Sequence, residues 1–268
     1  MSRRTIISSF VLSACILVLS QGTALSQAIA AHRGWWDSDE GGHSQNSIAS
    51  LGAAQALGVW GSEFDVQLTS DLQPIVNHDP EIHGVVIKDN PLSVFKEMKL
   101  NNGEAPSTLS EYLRKGKESH CVLVMELKPQ ATAKMEEALI RKCFADLRSA
   151  GLLKPERVIF ISFSLRICAL LAAHYPQFMV QYLNGEMSPE KLHEMKIKGL
   201  DYNISVFRRH PDWVERAHKL GMQVNVWTVN KESDIQDMID LGVDCITTND
   251  PLLARKLLGE NEIRRPGK

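Results

Sequence analysis

Gln223-Val224-Asn225-Val226-Trp227-Thr228-Val229 is followed by a helical stretch at 231–241 and then by Asp244-Cys245-Ile246-Thr247. The first and last runs read as strands, and the stretch between them as an amphipathic helix. Strand, helix and strand in succession argue for parallel strands. Working outward, the same alternation fills the chain. Extended runs fall at 28–32, 61–66, 121–127, 157–163, 179–183, 201–206, 223–229 and 244–247. Helical stretches fall at 46–57, 109–117, 132–150, 165–174, 189–196, 211–220, 231–241 and 251–258. Eight such units in about 240 residues are the size of a (β/α)8 barrel, the TIM barrel of the α/β class. A doubly wound sheet would want GxGxxG or GxxxxGK[ST] after a strand, and neither motif occurs.

One segment departs from the alternation. Gln67-Leu68-Thr69 and Pro74-Ile75-Val76-Asn77-His78 flank a polar turn, which reads as a hairpin after the second strand. Residues 81–106, with Gly84, Pro91, Gly103 and Pro106, continue as a short irregular insertion. No linker divides the rest, so 27–268 is expected to be one barrel domain.

The first 26 residues are of another kind. Arg3 and Arg4 precede an apolar run, and small residues follow from Gly22 through Ala24 and Ser26 to Ala28. That order is a signal peptide, with cleavage near Ser26 or Ala28. The run is short for a membrane span. Export to the periplasm or beyond is therefore expected. Cys15 lies in a lipobox-like Leu12-Ser13-Ala14-Cys15, but inside the apolar run rather than at its end, so anchoring there is the lesser reading. Cys121, Cys143, Cys168 and Cys245 form no CxxC pair and read as buried thiols. The net charge of -2 calls for neither nucleic acid nor an acidic membrane.

Reactive residues gather where barrel strands end, which is where barrel enzymes place their sites. The first strand ends in His32-Arg33-Gly34. The second carries Glu63-Phe64-Asp65, the hairpin ends in His78-Asp79, and the third strand ends in Glu126-Leu127-Lys128. Residues two apart on a strand share a face, so Glu63 lies beside Asp65 and Glu126 beside Lys128. Carboxylates on an inward face are costly unless neutralised. Three converging on one mouth suggest a bound cation. Oxygen ligands alone favour Mg²⁺ or Ca²⁺ over zinc. Trp227 stands at the end of the seventh strand as a wall for substrate or as packing.

Taken together, His32-Arg33-Gly34, Glu63-x-Asp65, His78-Asp79 and Glu126-x-Lys128 resemble the signature of the glycerophosphodiester phosphodiesterases. Gln67-Leu68-Thr69-x-Asp71, Ser162-Phe163, Val226-Trp227-Thr228 and Thr247-x-Asn249-Asp250-Pro251 agree with it. The resemblance spans residues 28–258. It implies a (β/α)8 fold with one divalent metal on Glu63, Asp65 and Glu126. It implies His32 and His78 as general acid and base, and Arg33 and Lys128 as holders of the phosphate. It further implies attack by the substrate's own glycerol hydroxyl, giving a cyclic phosphate that water opens. Where many members carry Pro-Glu-Asn-Thr after the first strand, this chain has Ser44-Gln45-Asn46-Ser47, a neutral amide in place of a carboxylate. Two rival readings stand beside this one: a phospholipase C- or D-like enzyme of intact lipids, and an exported binding protein without turnover. His43 and His83 read as surface histidines.

Overall fold

The computed structural model describes residues 27–259; the leader read at 1–26, with Cys15, lies outside them. In chain order the elements are β1 (Ala28–Ala31), α1 (Ile48–Leu57), β2 (Gly61–Leu68), β3 (Pro74–Val76), β4 (Glu81–Ile82), β5 (Val85–Val86), α2 (Leu92–Lys96) and α3 (Leu109–Gly116). The order continues with β6 (Val122–Leu127), α4 (Ala133–Ala150), β7 (Val158–Ser162), α5 (Leu165–His174), β8 (Met179–Tyr182), α6 (Pro189–Glu194) and β9 (Gly199–Asn203). It ends with α7 (Ile204–Arg209), α8 (Asp212–Lys219), β10 (Gln223–Trp227), α9 (Glu232–Leu241), β11 (Cys245–Thr248) and α10 (Pro251–Leu257).

Eight strands run parallel in the order β1-β11-β10-β9-β8-β7-β6-β2, and pairing of β1 with β2 closes the ring. This is the expected (β/α)8 barrel. The alternating side chains divide between two cores. Outward residues such as Leu123, Met125, Leu127, Phe160 and Val224 pack under the helices in one large cluster. Inward residues form a small second cluster of Val124, Ile159, Ile161 and Leu183, capped by Phe163 and Trp227. Cys121, Cys143, Cys168 and Cys245 are buried and free.

Beyond the barrel rim, β2 continues antiparallel to β3, pairing Val66 with Val76 and Leu68 with Pro74. The hairpin stands where the sequence places it. The insertion is more ordered than its composition suggests. It holds the β4–β5 hairpin, a 3₁₀ turn at Ile87–Asp89 and α2, packed around Ile75, Ile82, Ile87 and Phe95. The Glu104 carboxylate bonds the free amides of Ile48 and Ala49 at the start of α1, tying the insertion to the first helix. One strand boundary is corrected: the sixth run, read as extended over 201–206, is strand only to Asn203. Asn203 then caps a short helix through the amide of Ser205. A short apolar run cannot distinguish strand from helix by periodicity, and here the cap decides.

Candidate active site

The first strand ends in a left-handed turn, Arg33 at φ 57° and Gly34 at φ 79°. Only glycine fits the second position, because an added Cβ would lie 2.3 Å from Ser50 Oγ. The turn is held by the second strand: Arg33 N donates to Glu63 Oε2 at 2.9 Å and Gly34 N to the Glu63 carbonyl at 3.1 Å. This sets His32 at the mouth. Its Nδ1 lies 2.7 Å from Asn249 Oδ1, just beyond β11. With that oxygen as acceptor, Nδ1 carries the proton and Nε2 is left bare. Burial and the adjacent Arg33 lower the His32 pKa to about 4, so the ring is neutral at physiological pH. His78 follows β3, and its Nδ1 sits 2.7 Å from Asp79 Oδ1.

Glu63, Asp65 and Glu126 are all buried, and one oxygen from each lies within 4.8 Å of the others. Phe64 points the other way and meets Tyr112 of α3 with 4.5 Å between ring centres, which fixes which face the carboxylates take. Asn46, at φ 57°, clamps Asp65 twice: its Nδ2 donates to Asp65 Oδ2 at 2.9 Å and its Oδ1 accepts from Asp65 N at 3.1 Å. Lys128 Nζ stands 3.3 Å from Asp65 Oδ1 and 2.9 Å from Glu126 Oε1. Arg33 Nε is 3.8 Å from Asp65 Oδ2, while Arg33 Nη1 donates to Gln45 Oε1 at 2.5 Å.

The charges are not balanced by the protein alone. Burial, then the neighbouring Asp65 and Glu126, push the Glu63 carboxyl well up. Burial and Asp65 raise Glu126 to about 8, despite Lys128 beside it. Burial would raise Asp65 too, but Lys128, His78, Asn46 and Arg33 outweigh it and hold the group low. Burial would lower Lys128, yet Asp65 and Glu126 keep it raised and charged. Two carboxyls pushed up beside a third held low are a donor set short of positive charge. A divalent cation fits that deficit, and the all-oxygen set suits a hard ion.

His32, Arg33, Glu63, His78 and Glu126 line one cavity of about 190 Å³, together with Ile161, Phe163, Leu183, Asp201, Trp227, Thr228 and Thr247. Trp227 is half-buried in its wall, edge-on to Phe163 with ring centres 5.5 Å apart. Lys128 Nζ lies 6.0 Å from the Phe163 ring centre, at the border of the same space. The profile of the Glycerophosphoryl diester phosphodiesterase family matches residues 32–253.

The chain belongs to that family. It is a phosphodiesterase by this membership, as are the relatives it matches. A glycerophosphodiester phosphodiesterase of Caldanaerobacter subterraneus subsp. tengcongensis is 30% identical over 240 residues, covering 83% of this chain and 94% of its own. A solved glycerophosphodiester phosphodiesterase from Parabacteroides distasonis superposes with a TM-score of 0.84 at 39% identity, over 87% of this chain and 97% of that one. An Oleispira antarctica phosphodiesterase, solved with its product sn-glycerol-3-phosphate, shares the fold with a TM-score of 0.75 at 24% identity, over 88% and 97% of the two chains.

His32, Arg33, Glu63, His78, Glu126 and Trp227 line the one cavity of this phosphodiesterase, and Asp65 and Lys128 adjoin it, Lys128 through Asp65 and Glu126. His43 and His83 lie on the surface, as read. Asp201 escaped the sequence reading. It sits mid-strand in β9 between Leu200 and Tyr202, and an acid inside an apolar run was the available signal. Asn249 and Asn46 belong to the sequence pattern, which does not reveal the hydrogen bonds they make to His32 and Asp65.

Proposed function

We propose that this phosphodiesterase hydrolyses glycerophosphodiesters to glycerol 3-phosphate and an alcohol, with His32 and His78 moving the protons. The observation that carries the reading is the shared cavity: both imidazoles face it with Arg33, Glu63 and Glu126, and both have Nδ1 occupied by an oxygen acceptor. Each ring thus presents Nε2 for proton transfer. The product seen in the Oleispira antarctica relative is consistent with the same chemistry here.

Glu63, Asp65 and Glu126 would hold Mg²⁺ or Ca²⁺, whose charge stabilises the phosphoryl oxygens when it is bound. Arg33 and Lys128 add fixed positive charge at the same pole. His32, neutral through burial, takes the proton from the substrate's own glycerol hydroxyl as that oxygen attacks phosphorus. The bond to the leaving alcohol breaks, and His78 returns a proton to its oxygen. Water then opens the cyclic phosphate with the two histidines exchanging roles. The small cavity and the exposed acidic loop at Asp37, Asp39 and Glu40 favour a small soluble diester over an intact lipid. Export, read from residues 1–26, is part of the proposal and would place this activity outside the cytoplasm.

The test is release of glycerol 3-phosphate by the purified protein after EDTA treatment and after adding back Mg²⁺ or Ca²⁺. His32→Ala and His78→Ala should each lower kcat by about 10² to 10⁴, the usual worth of general acid–base catalysis, with metal affinity retained. Near-full turnover by His78→Ala would remove it from the mechanism.

A further inference from the structure

Among the described residues, Asp201 is the one buried acid at the cavity that the chemistry above leaves idle. The residue is 1% exposed, its Oδ1 has no hydrogen-bond partner among the described residues, and it lines the cavity. Among the described residues no cation pairs with it. Burial alone raises its pKa to about 7. An unpaired carboxyl inside a protein is costly, and the cost is recovered only with a partner. Among the described residues none hydrogen-bonds its Oδ1; the buried Cys245 thiol is a neighbour, and Asp201 lines the cavity.

The surroundings define the partner. The cavity has two poles. His32, Arg33, Glu63 and Glu126 make one, on β1, β2 and β6. The other is apolar and aromatic: Ile161 and Phe163 from the end of β7, Leu183 after β8, and Trp227 at the end of β10. Asp201 lies at this second pole. Trp227 Nε1 donates to the Asp201 carbonyl at 2.9 Å, so the indole is locked beside the residue whose carboxyl is unpaired. With its N–H committed, the ring offers substrate only its apolar faces. A polyol placed here would find acceptors in Asp201, Thr228 and Thr247 but would turn its remaining hydroxyls onto Ile161, Leu183 and the rings. An alkylammonium would instead find a carboxylate for its charge and aromatic faces for its carbons, the combination that recognises such cations elsewhere.

We infer that Asp201, with Trp227 and Phe163, forms the subsite for the alcohol half of the substrate and selects an alcohol that carries an ammonium group. The inference rests on the reading of the chain as a glycerophosphodiesterase and extends it to the alcohol. Asp201 acts here as a specificity-determining residue and takes no part in bond breaking.

The experiment uses glycerophosphocholine and glycerophosphoglycerol, which share the phosphate and one glycerol and differ only in the second alcohol. Calorimetric titration of the purified protein in EDTA gives binding without turnover, and kcat/KM is then measured on both esters with metal restored. The choline ester should bind at least about tenfold more tightly, the order expected for one desolvated charge contact with aromatic support. Asp201→Asn should abolish that preference in both measurements, and Asp201→Glu should restore part of it. Trp227→Leu should reduce it from the opposite wall. Equal binding of the two esters, or a preference that survives Asp201→Asn, overturns the inference. Hydrolysis of neither ester alongside a preserved binding preference would remove the phosphodiesterase reading and leave the ammonium subsite standing. Hydrolysis of both without preference would do the reverse.

Discussion

Asn46 shows how a residue that touches no substrate can govern the site. It occupies a left-handed conformation and makes two hydrogen bonds to Asp65, one to the carboxylate and one to the amide. Glycine adopts the same backbone without strain, so Asn46→Gly removes the clamp and little else. Partners of a metal-binding carboxylate typically change affinity by about 10- to 100-fold. Asn46→Gly should weaken divalent-ion affinity by that order, read by calorimetry, while circular dichroism stays native. Asn249 plays the corresponding part for His32. Asn249→Ala frees the ring to turn and to change tautomer. It should lower kcat by about tenfold, the loss of one orienting hydrogen bond, with KM changed far less. An effect on KM alone would show that Asn249 shapes binding rather than the histidine.

At the level of elements, the helix ends are the clearest case of local chemistry fixing structure. The 18-residue α4 starts with Thr132 accepting from Met135 N and stops at Gly151, φ 73°, whose N–H closes the last turn. An added Cβ there meets nothing within 4 Å. Gly151→Ala therefore isolates the left-handed backbone penalty, and should lower unfolding free energy by about 1–2 kcal/mol in urea titration at unchanged m-value. The elements were also where the sequence was most legible. Alternating apolar runs and caps placed the barrel strands within a few residues, and the His32, Glu63, Asp65, His78, Glu126 and Lys128 cluster followed from strand ends alone. Three things were not legible. The turn from strand to helix after Asn203 hid because Ile204, Val206 and Phe207 suit either. The order within 81–106 depends on Ile75, Ile82, Ile87 and Phe95 meeting across the hairpin, a tertiary event with no periodicity. Asp201 hid because β-alternation says which side it faces, not whether a partner waits there.

Across the whole molecule, the acids of the barrel mouth couple stability to pH and to metal. Glu63 and Glu126 are raised by burial and by repulsion from Asp65, Glu126 to about 8, and Asp201 is raised by burial to about 7. A raised carboxyl binds its proton more tightly folded than unfolded. The stability it contributes is complete below its unfolded pKa and is lost as pH rises to the folded value. In the absence of metal these groups should make the protein less stable between about pH 4.5 and 8, the span between ordinary and raised carboxyl values. His32 works in the opposite direction. Its pKa is lowered to about 4, so its contribution is present above about 6.5 and fades as pH falls toward 4. The two trends oppose below pH 6.5, and above it the acids act alone. A divalent cation bound by Glu63, Asp65 and Glu126 would replace the protons on Glu63 and Glu126, and its binding would release them. Melting in EDTA should therefore show Tm falling from pH 6.5 to 8.5, and saturating Mg²⁺ or Ca²⁺ should raise Tm more at pH 8 than at pH 6. Glu126→Gln removes one of the three raised acids and should make the EDTA profile shallower while reducing the metal-induced rise at every pH. A metal-induced shift independent of pH would mean that the three carboxyls are already ionised in the folded protein, and that Lys128 and Arg33 neutralise them without help.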